Sequence, residues 1–327
     1  MNHTDFATEA SSFDLIGDIH GYAEPLAELL AKLGYRERHG VWRHGSRRAV
    51  FLGDFIDRGP HQREVIGIVR PMIENGAALS VMGNHEFNAI AYHTRHPETG
   101  LPLREWSQKN SGQHKAFTDA YEGREAEMRD VIDWFRTLPL WLDLGGFRVV
   151  HACWDRKLIE RLWHALDRGQ QLTDELLIAA SQRGTWQHEA VETLLKGKEI
   201  PLPDGHSFPD KDGNLRHEIR VRWWDNDAGD YRSAFLGPET ARTHIPDDPI
   251  KGDHLVDYRH DDPPCFLGHY WLNEEPELLA PNIACLDYSV AATGGKLIAY
   301  RWDGEQKLRR EKFVAVKKDE EVLDSLP

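Results

Sequence analysis

The stretch FLGDFIDRGP, residues 51–60, decides how the rest of this sequence is read. A short apolar run with strand character passes through Gly53 into Asp54, and Asp57 and Arg58 follow before a Gly-Pro turn. A connecting loop needs only turn-forming residues, which Gly, Pro and a single Asp already supply. Two carboxylates and a guanidinium set against the end of a buried strand point instead to a place where charges are used.

Outward from this segment the same grammar recurs. Leu15-Ile16-Gly17 leads to Asp18, with His20 two residues on, and Val81-Met82-Gly83 leads to Asn84 and His85. Val149-Val150 ends on His151, and Phe266-Leu267-Gly268 on His269. Apolar periodicity predicts strands at 13–17, 49–53 and 77–83, with helices at 22–33 and 61–74 between them, the alternation of an α/β protein. Residues 86–141 and 155–197 read as helical and rich in charge, and a hairpin is expected around Gly145 and Gly146. A Pro-, Gly- and Asp-rich loop is expected over 200–218, followed by strands at 219–224, 265–268, 283–290 and 296–302. No repeat interrupts this order. One domain over 13–315 is expected, with a tail at 316–327.

In α/β sheets the carboxyl ends of strands line a common crevice, so residues distant in sequence meet there. Asp, Asn and His side chains suit manganese, iron, zinc or magnesium, and no cysteine belongs to the set. Each residue alone is an ordinary turn or core residue. Five strand ends sharing one pattern favour a dinuclear metal site, with the preceding glycines letting the backbone turn and approach a bound phosphate.

Composition narrows what the site can serve. The 327 residues carry 40 basic and 54 acidic side chains, a formal charge of −14, which repels a nucleic-acid backbone in the absence of a basic stripe, whereas a phosphorylated substrate can still bind where metal cations supply the positive charge. No duplex partner is expected. No apolar run approaches the length of a membrane span, and the first residues lack the basic flank and apolar centre of a secretory signal. With only three cysteines, a reducing cytoplasmic setting and no membrane partner are expected.

The blocks GDIHG, GDFIDRGP and GNHE resemble the three signature motifs of calcineurin-like metallophosphoesterases, in particular the phosphoprotein phosphatase branch that includes symmetrical diadenosine tetraphosphatases. RVVHACW and FLGHYW resemble the later histidine blocks, and CLDYSVAATGGKLIAYRW the closing strands. The resemblance implies an α/β fold of two packed mixed sheets flanked by helices, an αββα sandwich. It implies one divalent metal on Asp18, His20 and Asp54 and a second on Asp54, Asn84, His151 and His269, manganese first and iron or zinc as alternatives. Trp271 stands where much of the wider superfamily has another histidine, which favours the phosphatase branch.

On this reading a metal-activated hydroxide attacks phosphorus and His85 is the general acid, oriented by Asp57. Arg58 clamps the phosphoryl oxygens with two parallel hydrogen bonds, and Asn84 contributes to phosphate binding. The resemblance calls for a second arginine. Arg220, Arg222 and Arg232 are candidates, with Arg222 preferred. Trp154, Trp223, Trp224 and Trp271 lie near the later blocks and are read as core fillers ahead of base-stacking platforms. The helical insertions are expected to cap the cleft, and His93, His96 and His114 within the first are read as surface residues. A Ser/Thr phosphoprotein phosphatase is placed first and a diadenosine tetraphosphatase or other nucleotide pyrophosphohydrolase second. A non-catalytic metal-binding scaffold comes last, because no ligand or acid is missing. Oligomeric state is left open.

Overall fold

The structure, a computed structural model, describes residues 12–166, 171–209, 214–250 and 256–318. Its centre is a pair of mixed sheets. In the first, strand Phe13–Ile16 pairs in parallel with Arg48–Phe51, which pairs in parallel with Ala78–Ser80. On its other edge Phe13–Ile16 runs antiparallel to Lys296–Trp302, which carries Asp287–Tyr288 and Phe313–Lys317. In the second sheet Cys265–Leu267 lies parallel to both Ile283–Cys285 and Arg148–Val150, and Trp141–Asp143 closes the edge as the expected hairpin.

Side-chain alternation explains why these strands stack. Phe13, Leu15, Val50, Leu52, Leu79 and Val81 of the first sheet meet Leu142, Phe147, Val149, Phe266 and Ala284 of the second in one buried cluster. The intervening residues Ile16, Ala49, Phe51 and Ala78 face the other way, into a cluster shared with helices Ala23–Leu33 and Gln62–Glu74. Strands apolar on both faces therefore sit between a partner sheet and a helical layer, which is the sandwich the motifs imply. Asp14, fully buried in the first strand, is bonded by Arg47 at 3.0 Å and Arg301 at 3.1 Å, so its charge is compensated within the fold.

Elsewhere the structure departs from the expectations. The charged segment after residue 86 is helical only in pieces, Asn84–His93, Gln108–Gln113, Lys115–Ala120 and Glu125–Phe135. The stretch expected as a loop contains short strands, Glu199–Pro201 running antiparallel to Glu218–Arg220 over a small apolar cluster that includes Ile219, Val221 and Phe235. The expected tail begins inside a strand, since Val316 and Lys317 pair with Leu297 and Lys296; residues 319–327 lie outside the described residues. No helix among the described residues is long and apolar enough to cross a membrane.

Gly53 shows how tightly the strand ends converge. It sits at φ +91°, and a Cβ there would lie 2.3 Å from the backbone nitrogen of Gly83. Both the conformation and the space exclude a side chain. A Gly53→Ala variant is expected to lose about 3 kcal/mol of stability, read as a lowered urea midpoint, and an unchanged midpoint would refute this account of the turn.

Candidate active site

The strand ends bring most of the sequence-predicted residues together in one buried cluster. Asp18, His20, Asp54, Asp57, Asn84, His85 and His151 are all buried. Backbone strain concentrates in the same place. Of the nine non-glycine residues with positive φ among the described residues, six are His20, Asp54, Asp57, Arg58, His269 and Trp271. Left-handed conformations at non-glycine residues persist only where surrounding bonds enforce them, and they cluster at functional sites.

Asp54 is the hub. Its Oδ2 lies 3.3 Å from His151 Nε2, 3.8 Å from His20 Nε2 and 3.9 Å from His85 Nε2, while Oδ1 accepts from the His85 backbone N–H at 2.9 Å. Its carbonyl accepts from the backbone of Ile19 and His20, tying the first two motifs together. Burial opposes ionisation of this carboxylate, but the imidazoles of His151 and His85 outweigh it and hold its pKa well below the usual range. Burial likewise opposes protonation of His151, and Asp54 overrides it, pushing that imidazole up to about 10. His20 goes the other way, lowered to about 3 by burial and by neighbouring His85.

The remaining predicted ligands close around this hub. Asn84 Oδ1 lies 3.1 Å from His151 Nε2 and 2.8 Å from His269 Nδ1. His151 Nδ1 donates to the Leu52 carbonyl at 2.6 Å, which turns Nε2 toward Asp54. Asp18 Oδ2 accepts from the His269 backbone N–H at 3.0 Å. The glycine before His269 makes room for that carboxylate, because a Cβ on Gly268 would lie 2.0 Å from Asp18 Oδ1. The glycine is explained by a neighbouring side chain, without recourse to phosphate. Burial, then Asp287, raises the Asp18 pKa well above the carboxylate range.

The turn after Asp54 holds Asp57 and Arg58. Asp57 Oδ2 lies 2.6 Å from His85 Nδ1, and its backbone N–H donates to Gln62 Oε1 at 2.7 Å, which pins the strained turn. Burial raises the Asp57 pKa, but hydrogen bonds from His114 and His85 outweigh this and lower it to about 2. His85 is depressed by burial yet raised on balance by Asp54 and Asp57, the protonated state a general acid requires. Arg58 is exposed and lies over the Trp271 ring, its guanidinium carbon 3.5 Å from the centroid.

Two sequence expectations are corrected here. Arg222 is not the arginine beside the cluster: its Nε donates to the Phe235 carbonyl, and Arg232 is bonded to Ile245 and Asp247. Arg220 occupies the position instead, with Nη1 3.3 Å from His269 Nε2, because the short strand Glu218–Arg220 orients it there. His114 is not on the surface. It is buried, with Nδ1 2.9 Å from Asp57 Oδ1, and partly buried His93 lies against it. His96 does stay near the surface, bonded to the Glu98 backbone. Of the four tryptophans singled out in the sequence, Trp154, Trp223 and Trp224 are core residues, and Trp271 is exposed beside His20.

Sequence reasoning assigned no role to Glu86 or Asp287. Glu86 accepts from the backbone N–H groups of Asp54, Phe55 and Gly83 at 2.8, 2.8 and 2.9 Å. Asp287 accepts from Trp271 and Ser289, both at 2.9 Å. The motif GNHE contained the signal for Glu86, since an acid three residues after a helix-capping position commonly bonds backwards to the backbone.

The donor set fits divalent cations. His20, Asp54 and His85 form one group of ligand atoms within 4.8 Å of one another, and Asp54, His151 and His269 form a second. Asp18 Oδ1 and His20 Nε2 are buried without a hydrogen-bond partner, the state of atoms whose partner is an ion. His85 falls within reach of the first group, although its Nδ1 is already committed to Asp57.

Comparison with known proteins agrees with this chemistry. The family model described as calcineurin-like phosphoesterase matches residues 11–248. An asymmetrical bis(5'-nucleosyl)-tetraphosphatase PrpE of Halalkalibacterium halodurans is 47% identical over 74 residues, 22% of this chain and 30% of that protein. The protein of the same name from Bacillus velezensis is 32% identical over 144 residues, 43% of this chain and 56% of that one. The chain thus spans about a third to just over half the length of these curated relatives. Among solved structures, a protein serine/threonine phosphatase from Saccharomyces cerevisiae superposes with a TM-score of 0.50 at 14% identity, over 94% of this chain and 80% of that one, a likeness of fold.

Proposed function

Because this chain belongs to the calcineurin-like phosphoesterases, a metal-dependent family of hydrolases, we propose that its cleft hydrolyses phosphoric esters or anhydrides at a two-cation centre bridged by Asp54. The observation that carries the reading is the Asp54 carboxylate, common to both groups of ligand atoms. Asp18, His20 and Asp54 would hold one cation, and Asp54, Asn84, His151 and His269 the other. Divalent cations held there would draw charge from the phosphoryl oxygens and lower the pKa of a water.

The chain's own residues supply the rest. Arg58 is exposed with its guanidinium over the Trp271 ring, available to two phosphoryl oxygens. Arg220, against His269, is the second clamp in place of Arg222. Asn84 lies between the two histidines and can reach the same group. His85, with Nδ1 given to Asp57, presents Nε2 to the departing oxygen and delivers its proton there.

For substrate, the relatives' names move the weight from a phosphoprotein toward a dinucleoside tetraphosphate, and toward asymmetrical cleavage where the sequence reading named the symmetrical kind. Purified protein with manganese is expected to hydrolyse p-nitrophenyl phosphate, with activity abolished by chelator and restored by added metal. A rate indifferent to chelation would end the proposal. Comparing diadenosine tetraphosphate with a phosphoserine peptide separates the substrate classes, and a hundredfold preference for the peptide would reverse the assignment. The nucleotide products distinguish the modes: ATP and AMP mark asymmetrical cleavage, two ADP the symmetrical one. A His85→Asn variant is expected to lose about a hundredfold in kcat on a poor leaving group.

A further inference from the structure

Asp57 has two oxygens, and the proton donor uses only one. Oδ2 takes His85 Nδ1 at 2.6 Å; Oδ1 takes His114 Nδ1 at 2.9 Å. His114 comes from the charged helical segment after residue 93, at the junction of Gln108–Gln113 and Lys115–Ala120, and is only 5% exposed. Its ring is stacked on Phe117, centroids 4.9 Å apart and planes 20° from parallel. Its Nε2 lies 3.1 Å from His93 Nε2. A core histidine usually satisfies its ring on a backbone carbonyl. This one is aimed at a carboxylate already engaged with another imidazole.

We propose that His114 is a positioning residue for the proton donor, gripping the free oxygen of Asp57 so that the carboxylate plane, and with it the direction of His85 Nε2, is fixed. The inference rests on the reading of His85 as the acid. A carboxylate held through one oxygen can swing about its terminal torsion, which is broad for aspartate. Bonds at both oxygens, with the backbone N–H of Asp57 tied to Gln62, leave it a single orientation. The tautomers follow from the same contacts. A neutral imidazole has one N–H; with that of His114 on Nδ1 toward Asp57, its Nε2 accepts, and His93 is the donor between them. The segment therefore reaches the chemistry through a hydrogen bond of its own, beyond any role in covering the cleft.

The test uses the full manganese-loaded chain and two esters, phenyl phosphate, whose leaving group needs a proton, and p-nitrophenyl phosphate, whose leaving group departs without one. His114→Phe keeps the stacking on Phe117 and removes the donor. It is expected to lower kcat on phenyl phosphate about tenfold with KM unchanged, and on p-nitrophenyl phosphate less than about threefold. His114→Asn, which places an amide N–H near the position of Nδ1, is expected to recover most of the loss. Equal losses on both esters, or none, would overturn the proposal. His85→Asn is measured alongside. If it discriminates between the esters and His114→Phe does not, the positioning role alone falls; if it treats them alike, the assignment of the acid falls as well. Wild-type protein labelled with 15N-histidine and prepared without metal gives a readout independent of turnover and of variant folding. Protonated Nδ1 on His114 is expected, and protonation at Nε2 instead would overturn the inference.

Discussion

An Asp54→Asn variant is expected to lose about three orders of magnitude in kcat/KM and to retain little bound metal. The amide matches the carboxylate in size, so packing survives and the loss reports chemistry. Asp54 is the residue that faces His20 and His85 on one side and His151 on the other, and it is the only carboxylate in either group of ligand atoms. Removing its charge takes the shared anionic partner from both positions at once, leaving the imidazoles, the Asn84 amide and a single carboxylate, Asp18, to hold two cations. The backbone bonds from Ile19 and His20 to the Asp54 carbonyl do not depend on the side chain, so the loops stay in place. Elemental analysis of the purified variant, together with initial rates at saturating manganese, decides the matter. Full metal content with activity within tenfold of wild type would remove Asp54 from the bridging role.

A Glu86→Ala variant is expected to lose about 4 kcal/mol of stability, a large fraction of what a domain has to spare. The Glu86 carboxylate is fully buried and accepts three backbone N–H groups. Truncation leaves all three donors without a partner, and each unsatisfied buried group costs about 1–3 kcal/mol. Two of those donors belong to Asp54 and Phe55, in the segment where Asp54 is held at φ +52°, so strain would relax away from the active conformation. Urea unfolding provides the measurement. A loss below about 1 kcal/mol would show that water replaces the carboxylate and that the loop holds itself.

The candidate ligands were legible because their signal is local. A strand, a turn and a ligating side chain fall within a few residues, five times over, and the sheet does the assembling. The sandwich was legible through the resemblance of the motif blocks, and the alternation of Phe13, Leu15 and Val50 against Ile16, Ala49 and Phe51 shows why these strands take a partner on each side. Arg220 was not legible. The choice between it and Arg222 depends on the register of two three-residue strands inside a stretch whose composition reads as loop. His114 was hidden in a charged helical segment, where spacing alone says nothing of an aspartate 57 residues upstream. Glu86 and Asp287 look like any acidic residue until their backbone partners are known.

The two halves of the proposed ligand set hang from different layers of the sandwich. Asp18, Asp54 and Asn84 follow strands of one sheet, and His151 and His269 follow strands of the other. Ion retention is therefore a gauge of interlayer docking. A slip of one layer against the other would release the cations while each sheet kept its ladder intact, so loss of metal should precede loss of secondary structure in gentle denaturation.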